Sequence, residues 1–241
     1  GVFAARLTTA EHEDHIPFFV RPKLGTATAP IAFLAPTFTY LAYANDLMET
    51  LSLHQAGITD REISPGPLDI FMTEHPEFGR SLYNHHNDGM RCIYSSRLRP
   101  IVSMRPKYRY WLTGAPRHLS ADLYLISWLE EKEFPYDVIT DEDLHYEGNA
   151  LLERYKVIIT GSHPEYWTTP MIAGLEDYLS SGGRTMYLGG NGMYWVTGVD
   201  SERPHVIEVR RNISGFLERE GAPGEGHLST TGEPGGLWRG R

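Results

Sequence analysis

The chain has 241 residues, 41% of them hydrophobic and 22% charged, enough to bury a sizeable core in one large or two small domains. A net charge of −9 and the lack of a basic stripe with interleaved aromatics argue against a nucleic-acid surface. No apolar run reaches membrane-spanning length, and the single cysteine, Cys92, excludes an internal disulfide framework and points to a reducing, cytoplasmic setting.

In chain order, Ile31-Ala32-Phe33-Leu34 reads as a strand that runs into an aromatic-polar stretch from Pro36 to Asp46. Residues 55–105 show little periodicity and are punctuated by Pro65, Pro67, Pro76 and Pro100. So long an irregular insertion in a compact domain is either functional or disordered, and its Tyr, His and Asn content favours function. Ser120 is positioned to cap a helix over about 121–133, with Leu125, Ile126 and Leu129 on its buried side. Tyr136 to Thr140 predicts a strand, Asp141 to Glu147 an acidic loop, and Val157 to Thr160 a buried strand ended by Gly161.

Thr169 as N-cap and Pro170 in the first turn predict a further helix, with Ile172, Leu175 and Leu179 as its apolar stripe and Gly182-Gly183 at its end. Thr185 to Leu188 is the next strand and leads into Gly189-Gly190-Asn191-Gly192. Strands alternating with amphipathic helices at this spacing imply an α/β fold with a parallel sheet flanked by helices. A domain is expected over residues 1–220, followed by a Gly-rich segment, 221–241, that begins further structure. With Gly1 at its start, the chain is expected to be a segment of a longer protein.

The stretch from Gly161 to Trp167 is the most informative. His163 and Glu165 lie two residues apart just beyond a buried strand, and Pro164 favours extended backbone at the residue before it. An extended chain points both side chains to one side, at the strand end where α/β proteins collect their chemistry. This makes the pair a candidate metal or acid–base site. Asn191, between two glycines after a strand, either donates to a developing oxyanion or simply occupies a left-handed turn. Cys92 reads better as a small buried hydrophobe than as a nucleophile, because it is not on a strand–helix elbow. Adjacent His85 and His86 point opposite ways in an extended chain and read as a solvated loop. His75-Pro76-Glu77 repeats the triplet without a preceding strand.

Taken together, Tyr40 to Asn45, Ser81-Leu82-Tyr83, Gly161 to Trp167, Leu188 to Tyr194, Pro204 to Arg211 and Thr231 to Arg239 resemble the N,N-dimethylformamidase large-subunit family. The resemblance implies a flavodoxin-like α/β domain similar to class I glutamine amidotransferases but without their catalytic cysteine. It implies a mononuclear Fe(3+) held by Tyr43, Tyr83 and Glu165, with His163 and Asn191 lining the site. The implied activity is hydrolysis of small N-substituted amides by an iron-activated water. The implied partners are a small helical subunit and further copies of the same chain. The neighbouring Tyr40 fits the motif less well than Tyr43. Phenolate and carboxylate oxygens suit a hard ferric ion, which in turn keeps a tyrosine ionised at neutral pH. Tyrosines with Phe38 and Trp167 would form a pocket for a small apolar N-alkyl group. The alternative is a non-catalytic domain of the same fold that binds a ligand or a subunit.

Overall fold

The computed structural model describes residues 1–46, 65–211 and 226–240. Part of the expected insertion, residues 55–64, and the 220/221 boundary lie outside the described residues.

Two strands, β1 (Val2–Thr8) and β2 (Glu13–Phe19), open the chain as an antiparallel hairpin. Strand β3 (Ile31–Ala35) leads into helix α1 (Thr37–Ala42), and helix α2 (Pro67–Glu74) and strand β4 (Tyr94–Ser96) follow. Next come α3 (Leu119–Glu131), β5 (Tyr136–Thr140), α4 (Asp141–Glu147), α5 (Asn149–Leu152) and β6 (Val157–Thr160). The remaining elements are β7 (Tyr166–Trp167), α6 (Thr169–Ser180), β8 (Arg184–Met186), β9 (Trp195–Val199) and β10 (Val206–Val209).

As expected, the apolar runs pair in parallel, in the order β5-β3-β6-β8. The two-residue side-chain period of β3 divides the core between the faces of this sheet. Ala32 and Leu34 pack with Ile158 and with Leu144, Leu151 and Leu175 of α4, α5 and α6. Phe33 and Ala35 face the other way, against Ile126 of α3 and Phe19 of the hairpin. The order places β3 beside both its successors, β5 on one side and β6 on the other. The chains leaving β3 and β6 therefore part at their carboxyl ends and open a crevice there.

Several sequence expectations are corrected. A second sheet, β4-β10-β9-β7, combines antiparallel and parallel pairs, so the fold is mixed rather than purely parallel. Residues 141–147 form a helix rather than an acidic loop, because Thr140 and Asp143 build a reciprocal cap at its start. His118, not Ser120, is the cap residue of α3. The Ser120 hydroxyl instead accepts from Arg117 N–H and donates to the Arg117 carbonyl. Thr168 precedes α6, and Thr169 is its first residue. The buried stripe of α6 is Met171, Leu175 and Tyr178, while Leu179 is exposed. The strand after α6 is shorter than expected, ending at Met186.

Gly161 is closely packed at the crevice. A Cβ there would stand 2.6 Å from Pro36 Cδ and 2.7 Å from Asp122 Oδ2, the carboxylate that receives the Ser162 N–H. Gly161→Ala is expected to cost about 1–3 kcal/mol, the usual toll of overpacking. Urea unfolding of the variant measures this, and a stability equal to that of the parent chain would disprove the contact.

A buried acid–phenol candidate site

Glu165 stands on the loop between β6 and β7 and is 2% exposed. Its own N–H donates to Thr39 Oγ1 at 3.0 Å, and its carbonyl accepts from the N–H groups of Tyr194 and Trp195. The backbone is thus pinned between α1 and β9, which fixes where the carboxylate points. Tyr43, the residue that closes α1, donates its hydroxyl to Glu165 Oε2 at 2.9 Å. Tyr83 also donates to the carboxylate, 3.3 Å from Oε1 and 3.5 Å from Oε2. Trp195 Nε1 donates to Oε1 at 3.0 Å, and His163 Nε2 lies 2.9 Å from Oε2. The Tyr43 and Tyr83 rings stack, with centroids 4.3 Å apart.

Local chemistry explains how Tyr83, far along the chain from Tyr43, arrives beside it. Leu82 N–H bonds to the Ala42 carbonyl, and the Ser81 hydroxyl, on which Tyr83 N–H rests, donates to Asp46 at 2.8 Å. Asp46 also receives Tyr110 OH at 2.7 Å and Trp111 Nε1 at 3.3 Å. Asn45, in a left-handed conformation with φ 57°, ties the same corner to residues 78, 100 and 102. Tyr40, the near neighbour in the motif, donates to Asp122 instead. The two phenols of the run therefore serve different acids.

Two cations border the cluster. The Arg211 guanidinium lies 4.5 Å from the Tyr83 ring and donates to Tyr166 OH at 2.6 Å, and Tyr166 in turn donates to Tyr83 OH at 2.7 Å. Arg117 lies over the rings of Tyr43 and Tyr110, and its Nη2 is 3.2 Å from His163 Nε2. His118 packs on Tyr43 with ring centroids 4.3 Å apart.

Burial and then the adjacent Glu165 carboxylate push the phenols of Tyr43 and Tyr83 well above their ordinary range. Burial, reinforced by Arg117 and His163, holds His118 well below the usual histidine range.

Of the residues singled out in the sequence, Tyr43, Tyr83, His163 and Glu165 are brought together. Asn191 is exposed, takes the left-handed turn with φ 50°, and makes no hydrogen bond into the cluster among the described residues. Its loop nevertheless runs beside the site, since Gly190 N–H bonds to the Ser162 carbonyl and Met193 N–H to that of Pro164. Cys92 is buried, as expected of a small hydrophobe, and His86 is exposed. Phe38 and Trp167, expected in an apolar pocket with the tyrosines, are core residues, and Phe38 lines a separate cleft of about 670 Å³ against the hairpin. Sequence reasoning missed Trp195, Arg117, His118 and Arg211 as members of the site. Arg211 lay within a motif already singled out, and the other three carry no local pattern.

Among the described residues no group of three or more His, Cys, Asp or Glu side chains is clustered for a metal, so three side-chain ligands to one ion here would have to include phenol oxygens. The donor set fits such an ion: two phenols and one carboxylate within hydrogen-bond reach can supply three anionic oxygens, the kind a hard, highly charged cation selects.

A mixed α/β domain with a buried acid–phenol cluster at the carboxyl ends of two parallel strands is the class of protein these features define. The family described as N,N-dimethylformamidase beta subunit-like, C-terminal, matches residues 1–241, and the chain belongs to it. The N,N-dimethylformamidase beta subunit of Alcaligenes sp is 46% identical over 244 residues, covering 99% of this chain and 31% of that protein. The beta subunit of the same name from Paracoccus aminophilus is 45% identical over the same coverage. The chain thus spans about a third of the length of these relatives, and both are beta subunits by name, where the motifs suggested a large subunit.

Without a bound cation, the raised phenols keep their protons beyond the pH at which unfolded tyrosines ionise, near 10. This contribution to stability is complete below pH about 10 and is lost as the pH rises further. Metal-free protein is expected to show falling thermal midpoints above that pH, with the ultraviolet phenolate absorbance contributed by Tyr43 and Tyr83 appearing only as the chain unfolds. An earlier, reversible ionisation that Tyr43→Phe abolishes would contradict this.

Proposed function

We propose that this domain carries the metal site of an enzyme that hydrolyses the C–N bond of small N-substituted amides of the dimethylformamide kind. The observation that carries the proposal is the convergence of Tyr43, Tyr83 and Glu165. The names of the relatives, which cover the whole chain with the cluster in it, supply the reaction class.

In this reading Tyr43, Tyr83 and Glu165 hold a mononuclear ferric ion. When bound, the ion supplies Lewis acidity toward an amide carbonyl and acidifies water at neutral pH. The residues of the chain do the rest. To hold such an ion both phenols would give up their protons, and the resulting charges would be bordered by Arg117 and Arg211. His163 Nε2, next to Glu165, is the group placed to take a proton from water and return it to the departing amine. Asn191, on the loop that runs alongside Ser162 and Pro164, offers an amide donor to the oxyanion. Burial of the cluster excludes bulk water and strengthens each of these interactions.

The same reading takes the parallel sheet as flavodoxin-like and related to class I glutamine amidotransferases. The order β5-β3-β6-β8, second-first-third-fourth in chain order, supports it, as does the placing of Tyr43 after β3 and of Glu165 after β6. It also carries a small helical partner subunit and self-association, in the cytoplasm. The subunit designation of the relatives agrees with an assembly.

The full-length protein is expected to purify with iron near one per chain and a visible phenolate-to-iron charge-transfer band. Tyr43→Phe and Tyr83→Phe shift or remove the band, and each lowers amide hydrolysis by more than about 100-fold, beyond what outer partners of a metal usually contribute. Proton release measured on reconstitution should approach two per ion at neutral pH. Colourless, metal-free protein that still hydrolyses amides would end the proposal.

A further inference from the structure

Two polar groups beside the cluster lack partners. Arg117 Nε and His118 Nε2 are buried and meet no hydrogen-bond partner among the described residues. Arg117 also has no carboxylate within ion-pair distance among the described residues. A buried N–H left without an acceptor is costly, and native proteins keep few of them. His118 carries a second cost. It holds φ 57° and ψ −127°, a left-handed conformation that non-glycine residues rarely adopt, at the start of α3. Strain and unmet hydrogen bonds gathered at adjacent residues are characteristic of a place built to receive something.

Their surroundings indicate what is received. The Arg117 guanidinium lies 5.6 Å from the Tyr43 ring centroid and within hydrogen-bond reach of His163. The His118 ring touches that of Tyr43 and stands 6.1 Å from that of His163. Both residues therefore border the phenol and the imidazole assigned to the chemistry. An arginine fork with no protein carboxylate to hold matches the paired oxygens of a small carboxylate.

We propose that Arg117 and His118 form a subsite for the carboxylate released by amide hydrolysis. Arg117 receives its two oxygens, and His118 supplies a further nitrogen contact on the Tyr43 side. The inference rests on the hydrolase reading, because hydrolysis of an N-substituted amide adds water across the C–N bond and yields one amine and one carboxylate. In the same position Arg117 faces the carbonyl oxygen of the substrate as charge develops on it.

The test uses the full-length, metal-loaded protein, with sodium formate as probe and sodium chloride at equal ionic strength as control. Formate binding is followed by calorimetry and by its inhibition of amide hydrolysis, and the visible band reports whether the metal site is intact. Arg117→Gln is expected to weaken formate about 10- to 100-fold with the band preserved. Arg117→Lys, which keeps the charge but loses the fork, should fall between the two, and His118→Phe should weaken formate less than Arg117→Gln does. Formate affinity unchanged in Arg117→Gln with the band intact overturns the subsite, as does equal competition by chloride. If Arg117→Gln does not fold, an unchanged affinity in Arg117→Lys and in His118→Phe overturns it. Formate binding that depends on Arg117 in a protein without amide hydrolysis would reject the hydrolase reading and keep the carboxylate site.

Discussion

The constraint around which this domain is organised is one buried carboxylate. Glu165 is almost wholly withdrawn from water, and such a group must be met by donors or it opposes folding. Among the described residues it is met from four places: the hydroxyls of Tyr43 at the end of α1 and Tyr83 in the insertion, the indole N–H of Trp195 at the start of β9, and the His163 ring nitrogen on its own loop. Each has to reach the acid for the domain to close. The acid therefore joins the parallel sheet to the second, mixed sheet through β9.

The same arrangement is poised for chemistry. Protons shared between an acid and two phenols can be displaced together by a cation, whereas a buried acid met only by amides would have nothing to exchange. Burial works in both directions here. It holds the phenols protonated while no cation is present, and it magnifies the attraction for one of high charge. The flanking arginines lie over aromatic faces rather than against Glu165, so they moderate the field without occupying the acid.

Legibility in the sequence followed the range of the interactions. The strands at 31, 136 and 157 were plain from their β-branched or apolar runs, and their parallel pairing follows from the helices between them. The pair His163 and Glu165 was readable because the two lie two residues apart just beyond a buried strand. A tight turn at Pro164, in which Glu165 N–H reaches the His163 carbonyl, brings them together rather than the extended chain expected. Helix α4 was read as a loop although its Thr140–Asp143 cap was present, since a run of acids outweighed Leu144 in the apolar pattern. The second sheet was hidden because β4 pairs with β10, across more than a hundred residues, and neither strand is long enough to show a pattern. Tyr43 and Tyr83 came from family motifs alone, as nothing in their own neighbourhoods separates them from Tyr40 or Tyr110.

By itself, then, the sequence determined the parallel α/β core, the placing of an acid and an imidazole at one strand end, and the turn at Asn191. All of these depend on residues near one another along the chain. Only the tertiary structure decided which phenols meet Glu165, that Trp195 joins its shell, and that Arg117 Nε and His118 Nε2 stand without partners among the described residues beside Tyr43. Those contacts join segments tens of residues apart. Their selection is a matter of which buried donors can reach one carboxylate once the sheets have packed, and no local pattern of residues encodes that.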